Sequence, residues 1–324
     1  MPEAKTAHPL PVIRSIPAIG PLVQAICIRY GLDITACQLI KSLLLDTYRV
    51  TTPDSSYIFR LYRVGQRSLD EIRSELEMLD YLLENGLSVS AGIKTQLRER
   101  VVAFSMPEGT RYGALFSFSP GEPLSKHLTC QSIQAYGKSL AHLHRIADAF
   151  PHPITRPSLD RPALLDVPVQ TLKTRFPEER DHIPYLQSVA ERLRPVLDAI
   201  PTTLPAYGFC HGDPGTVNVH MGENGELELF DFDFCGPGWR AYELAVVLND
   251  LRSEPPELTE AFLNAYNTVR PLSEREHHIL PTFQAIHHLW ILGVHSGNAD
   301  EWGTLRLEQG LLARAANHVR KILG

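Results

Sequence analysis

No stretch of this 324-residue chain is apolar for long enough to cross a bilayer. The start, Met1 to Gly20, is Pro-rich and lacks a basic patch followed by an apolar run, so no secretory leader is expected. Cysteine is scarce: the five residues (27, 37, 130, 210, 235) form no Cys-x-x-Cys pair, which excludes a disulfide framework and a structural zinc knuckle. A reduced, cytoplasmic setting is therefore expected, with Cys210 and Cys235 read as small buried residues. Excess positive charge is also missing. The formal charge is −6 with both signs dispersed, so no basic face marks a nucleic-acid partner. No Gly-x4-Gly-Lys-Ser/Thr occurs, which excludes a Walker-type NTPase. The His-rich C-terminal part (277, 278, 287, 288, 295) offers no acidic or Cys ligand at matching spacing, and His288 and His295 are read as helix packing.

What is present centres on His211-Gly212-Asp213, Asn218 and Asp231-Phe232-Asp233. Asn224-Gly225 is a favoured pair for a two-residue hairpin turn. With those two residues at its tip, Glu223 faces Glu226 and, counting outward, Asn218 faces Asp231. Their Cβ atoms would then lie about 5 Å apart on one face. An amide oxygen and a carboxylate at that spacing can share a Mg²⁺ ion, which prefers hard oxygen ligands and leaves room for phosphates. Glu226 to Phe230 alternates as a half-buried strand should. Asp213, five residues before Asn218, completes the Asp-x4-Asn plus Asp pattern of phosphoryl transfer, with Asp213 orienting the acceptor hydroxyl and Asn218 and Asp231 as metal ligands. Asp233 turns to the opposite face if the strand continues, and becomes a second contact near the metal if the chain turns at Phe234.

These residues resemble a known family. His211 to Asn218 is similar to the catalytic loop of aminoglycoside phosphotransferase and choline-kinase-like enzymes, and Phe230 to Gly236 to their metal-binding segment. Tyr57 to Tyr62 resembles the third strand, Ser68 to Leu83 the first-lobe helix, and Leu140 to His144 and Trp239 to Leu248 the helices flanking the catalytic loop. The resemblance implies an α+β, two-lobed protein-kinase-like fold, with a nucleotide-binding lobe over 1–118 and a catalytic, acceptor-binding lobe over 119–324. It also implies a strand cation touching nucleotide phosphates, matched by Arg60 with Arg63 as the alternative. Glu75, which flanks the apolar helix stripe, is its partner. A hinge near Phe116 to Phe118 would bind the nucleotide through backbone. Glu243 would cap the catalytic-loop backbone, and His211 and His144 would be structural. The missing glycine-rich loop argues against a protein kinase proper, and Ser42 or Lys41 is expected to help hold phosphates there.

Locally, residues 39–64 read as strands, and Ser68 to Glu71 as a capping box opening a helix with the stripe Ile72, Leu76, Leu79 and Leu83. Two strands follow near 100–104 and 112–118. Helices then dominate: 132–149, 189–200, 241–251, 258–269 and most of 274–323. Pro151 to Pro168 reads as a surface loop. The expected activity is transfer of a γ-phosphate from ATP or GTP, with Mg²⁺, to a hydroxyl of a small molecule: an amino alcohol, an aminoglycoside-like antibiotic or a hydroxy amino acid. The alternatives are a bacterial protein Ser/Thr kinase and a non-catalytic nucleotide-binding scaffold. A glycosyltransferase using Asp231-x-Asp233 fits poorly, because the strands cluster early and the helices late.

Overall fold

The computed structural model describes residues 10–302 and 310–323. The chain forms two compact units, one of residues 1–76 and 91–118, the other of 77–90 and 119–324.

The first unit is built on an antiparallel sheet. Its strands are β1 (Ala36–Ser42), β2 (Leu45–Thr51), β3 (Ser56–Tyr62), β4 (Gly92–Ile93), β5 (Val102–Met106) and β6 (Gly109–Ser117). The order is β1-β2-β3-β6-β4, with β5 also paired to β6. A helix not assigned from sequence, α1 (Ile19–Tyr30), covers one face. It buries Leu22, Ile26 and Tyr30, an i, i+4, i+8 stripe, against Tyr48, Val50, Phe59, Leu61 and Leu115. Each such side chain contributes about 1.5–3 kcal/mol.

The run after Leu39 forms a hairpin that turns at Leu43 and Leu44, between the first two strands. Within it, the register shifts between Leu39 and Lys41, so Ile40 is an extra residue, bulged and half exposed. A bulge reverses which face the following side chains occupy. Lys41 therefore pairs with Thr47, Thr47 with Arg60 and Arg60 with Ala114, forming one row on one face. Ser42 pairs with Asp46 and Asp46 with Leu61, in the row that faces α1.

The capping box opens α2 (Leu69–Glu84) as its sequence requires: Ser68 N donates to Glu71 Oε2 at 2.6 Å, and Glu71 N to Ser68 Oγ at 3.2 Å. Ile72, Leu76 and Leu79 are buried, but Leu83 is exposed and Leu82 takes the inward position.

The second unit is mainly helical. Its helices are α3 (Cys130–Ala147), α4 (Val167–Arg175), α5 (His182–Asp198), α6 (Arg240–Leu251), α7 (Pro256–Val269), α8 (Glu274–Gly297), α9 (Ala299–Trp302) and α10 (Leu311–Leu323). α3 packs on α7, and α8 on α4, α6 and α10. Two small antiparallel sheets carry the loops of interest. One holds β7 (Glu122–Pro123), β9 (Val219–Met221) and β10 (Leu227–Leu229); the other pairs β8 (Tyr207–Cys210) with β11 (Gly236–Trp239). The Pro151 to Pro168 stretch is less superficial than expected: it buries Arg156 and Leu159, and its last part, Pro162–Asp166, is a π-helical turn leading into α4.

Candidate active site

The β9–β10 turn is not the expected two-residue one. Gly225 N donates to Gly222 O at 3.0 Å and Gly222 N to Glu226 O at 2.9 Å, so three residues form the loop. Of these, Gly225 alone has positive φ, at 85°, as a turn closed by a bulged glycine requires. The pairing is therefore Leu227 with Met221, Glu228 with His220 and Leu229 with Val219. The ladder is offset by one residue from the expected register. Continued outward, Asn218 meets Phe230 rather than Asp231, and Phe230 N donates to Asn218 O at 3.1 Å. The ladder ends there: Asp231 has φ 64° and ψ 53°, a left-handed conformation uncommon for a non-glycine residue. Phe232–Phe234 then forms a 3-10 turn, so Asp233 lies on a turn and not on a continuing strand.

Asp213 and Asn218 are brought together. Asn218 Nδ2 donates to Asp213 O at 2.9 Å and to Asp213 Oδ2 at 3.1 Å. With the nitrogen so engaged, the amide oxygen is the atom turned away from Asp213. Asp231 directly follows the residue bonded to Asn218. Two oxygen donors, an amide and a carboxylate, are thus held on adjoining backbone, the hard donor set that a Mg²⁺-like cation takes.

The loop carrying Asp213 is pinned at both ends by α6. Glu243 Oε2 accepts from His211 N at 3.0 Å and Glu243 Oε1 from Gly212 N at 2.6 Å. Asp250 Oδ2 accepts from Thr216 N at 2.7 Å and from its hydroxyl at 2.9 Å. Between them, the Tyr136 hydroxyl donates to Pro214 O at 2.5 Å. His211 is structural: its Nε2 donates to Phe230 O at 2.9 Å, and its ring lies 4.1 Å from that of Phe232. His144 is fully buried, with Nε2 at 2.8 Å from Glu243 and Nδ1 at 2.7 Å from the Tyr266 hydroxyl. Burial pushes Glu243 up to about 7 and holds His144 well below its ordinary range. A neutral imidazole donating to Glu243 accounts for both shifts better than an ion pair does. His144, Cys210 and Glu243 also lie within metal-ligating reach of one another. Both His144 nitrogens are spent on hydrogen bonds and burial keeps the Cys210 thiol protonated, so this cluster is a hydrogen-bonded core. Asp250, Tyr136 and Tyr266 were not singled out from sequence, since each acts through a contact far away in the chain.

In the first unit Arg60 and Glu75 meet, Nη1 to Oε1 at 3.2 Å, both buried. The Arg60 guanidinium also lies 4.6 Å above the Phe116 ring. Phe116 thus meets the strand cation through its ring. Its backbone is flanked by Ile58 on one side and Gly92 on the other, and Ser117 N donates to Ala91 O at 2.9 Å. Phe118 lies past the end of β6, its ring beneath Arg49 at 4.6 Å. Ser42 does not join Arg60: its hydroxyl bonds to Asp46 Oδ1 on the face covered by α1. Arg111 Nη2 holds the other Asp46 oxygen at 2.7 Å. The bulge at Ile40 is the reason, and it puts Lys41 in the Arg60 row instead.

A small antiparallel sheet with a buried Arg–Glu pair, and a helical unit with a His-Gly-Asp loop and an Asn–Asp hairpin, define a protein-kinase-like phosphotransferase fold. Residues 37–277 match the phosphotransferase enzyme family APH, and the chain belongs to it. It is a kinase that acts on a hydroxyl group. An uncharacterized protein of Deinococcus radiodurans is 34% identical over 92% of this chain and 88% of its own length. A homoserine kinase of Methylobacterium nodulans is 29% identical over 71% and 70%. Among solved structures, an amicoumacin kinase in complex with AMP-PNP, Ca²⁺ and Ami superposes with a TM-score of 0.79 at 21% identity, covering 94% of this chain and 92% of that one. No helix among the described residues is long and apolar enough to cross a membrane.

Proposed function

We propose that the chain moves the γ-phosphate of ATP or GTP to a hydroxyl of a small amine-bearing acceptor, such as an amino alcohol, a hydroxy amino acid or an aminoglycoside-like antibiotic. One observation carries this reading: the Asp213 carboxylate is held by Asn218, on a loop fixed by Glu243 and Asp250, beside the left-handed Asp231. Asp213 orients the acceptor hydroxyl and takes its proton as the oxygen–phosphorus bond forms and the bond to the nucleoside diphosphate breaks. The Asn218 oxygen and the Asp231 carboxylate would hold a divalent cation, Mg²⁺, which when bound neutralises phosphate charge. Arg60, fixed by Glu75, would engage phosphates in the manner of the strand cation of kinases, bidentately where geometry allows. Backbone past the end of β6, at Phe118, would take the base. The amine on the acceptor is supported by the similarity to a homoserine kinase and an amicoumacin kinase.

The test is a transfer assay with γ-labelled ATP and GTP, Mg²⁺ and a panel of hydroxylated amines and amino acids. Labelled phosphate ester is expected from at least one acceptor class. Label reaching protein hydroxyls alone would contradict the small-molecule reading.

A further inference from the structure

We propose that Arg156 is a positioning residue for the metal-ligating turn, setting the aim of the Asp231 carboxylate; this rests on the reading of Asp231 as a cation ligand. Arg156 lies between α3 and Pro162 and is 7% exposed. Its Nε donates to Cys235 O at 3.0 Å, and its Nη2 to Asp233 O and, at 3.4 Å, to Phe232 O. One guanidinium fork thus gathers three carbonyls from the turn that begins at Asp231. Phe232 O also accepts from Cys235 N at 2.9 Å, whereas the carbonyls that end a short helical turn carry partial negative charge that the guanidinium meets. A permanently charged, planar fork with several donors meets that need as no lysine can.

The chain around Arg156 reinforces the clamp. Leu159 N donates to Pro237 O at 2.6 Å, and Leu159 forms a parallel bridge with Gly238. The approach is so close that a Cβ on Gly236 would lie 2.2 Å from Pro157 O. The segment 156–159 therefore runs as a strap along 235–238, the continuation of the Asp231 turn. A left-handed aspartate persists only where its surroundings over-determine it. On one side the bond from Phe230 N to Asn218 O fixes Asp231; on the other, Arg156 does. Through these bonds Arg156 acts on the backbone of the turn that follows Asp231.

The experiment measures Mn²⁺ binding in the presence of AMP-PNP by electron paramagnetic resonance, with thermal unfolding in parallel. Arg156→Lys is expected to weaken Mn²⁺ roughly 10–100-fold, the usual effect of removing a group that orients a ligand. Binding of metal-free AMP-PNP should stay unchanged. Arg270→Lys, at another buried arginine of the same unit that bonds Pro205 O and Glu276, controls for lost stability. Its Mn²⁺ affinity should remain that of the unaltered protein. Unaltered affinity in Arg156→Lys, or an equal loss in Arg270→Lys, would overturn the proposal. Asp231→Asn separates the two ideas: if it keeps full Mn²⁺ affinity, the metal assignment itself fails.

Discussion

The β1–β2 and β9–β10 hairpins each carry one residue more than a plain ladder needs, but the extra residue sits in different places. In β1–β2 it is Ile40, inside the strand, and every side chain beyond it changes face. In β9–β10 it is in the turn at Gly225, so the strands stay regular and the offset reaches the far end. There Asp231 leaves the ladder in a left-handed conformation. One bulge re-aims a cation within a sheet; the other leaves a strained residue at the proposed ligand position. Placement of a single residue decides which side chains share a face.

The largest effect is expected at the far end of the second hairpin. Asp231→Ala should weaken divalent-metal-dependent nucleotide binding by more than about 100-fold, since a ligand matters more than the groups around it. Calorimetry showing unchanged Mg²⁺ dependence would remove Asp231 from the site. In the first hairpin the comparison sharpens to two neighbours. Lys41→Ala should raise the KM for nucleotide about tenfold, the loss of one charge-assisted contact. Ser42→Ala should leave that KM alone. The opposite pattern would mean that the Ile40 bulge does not set the faces.

A smaller effect is expected from the loop's anchor. Folded Glu243 titrates near 7 against an ordinary value of 4.5, so the folded state holds an extra proton between them. The stability this confers is complete below about 4.5 and is lost as pH rises through about 7. Turnover should move the other way over that window, as the ionised carboxylate accepts from both His211 N and Gly212 N. His144 works against this trend: burial keeps it neutral in the folded state, so its own contribution is lost as pH falls below its ordinary value of 6.5. Glu243→Gln should remove the loss of stability toward pH 7 and flatten the turnover profile, and a surviving acidic limb in turnover would assign it to another group. Smallest is Gly225→Ala: nothing crowds that position, so only its positive φ should matter, costing about 1–2 kcal/mol by thermal unfolding.

Much of the fold was legible because its signals are local. The capping box at Ser68 and Glu71 forms, and Glu75, beside an apolar stripe, is buried against Arg60. The Asp213–Asn218 contact likewise follows from a short loop. What was misread depends on one-residue offsets that alternation of side chains does not reveal: the Ile40 bulge that hides Ser42, and the three-residue turn that takes Asn218 off Asp231. Leu83 was misplaced in the last turn of α2, where Leu82 faces inward instead. The groups that hold the loop were invisible for another reason. Asp250, Tyr136, Tyr266 and Arg156 act across long stretches of chain, where no spacing rule applies. The α1 stripe of Leu22, Ile26 and Tyr30 stands at helical spacing although no element was assigned there; Pro21 lies in the first turn, where proline is tolerated.

In the proposed reaction Asp213 orients and deprotonates the acceptor hydroxyl. Asp213→Asn keeps the side chain's size and removes its charge, so transfer from γ-labelled nucleotide should fall roughly 10²–10⁴-fold while Mg²⁺-nucleotide affinity holds. Full transfer by Asp213→Asn, with the same acceptor and nucleotide, would contradict it.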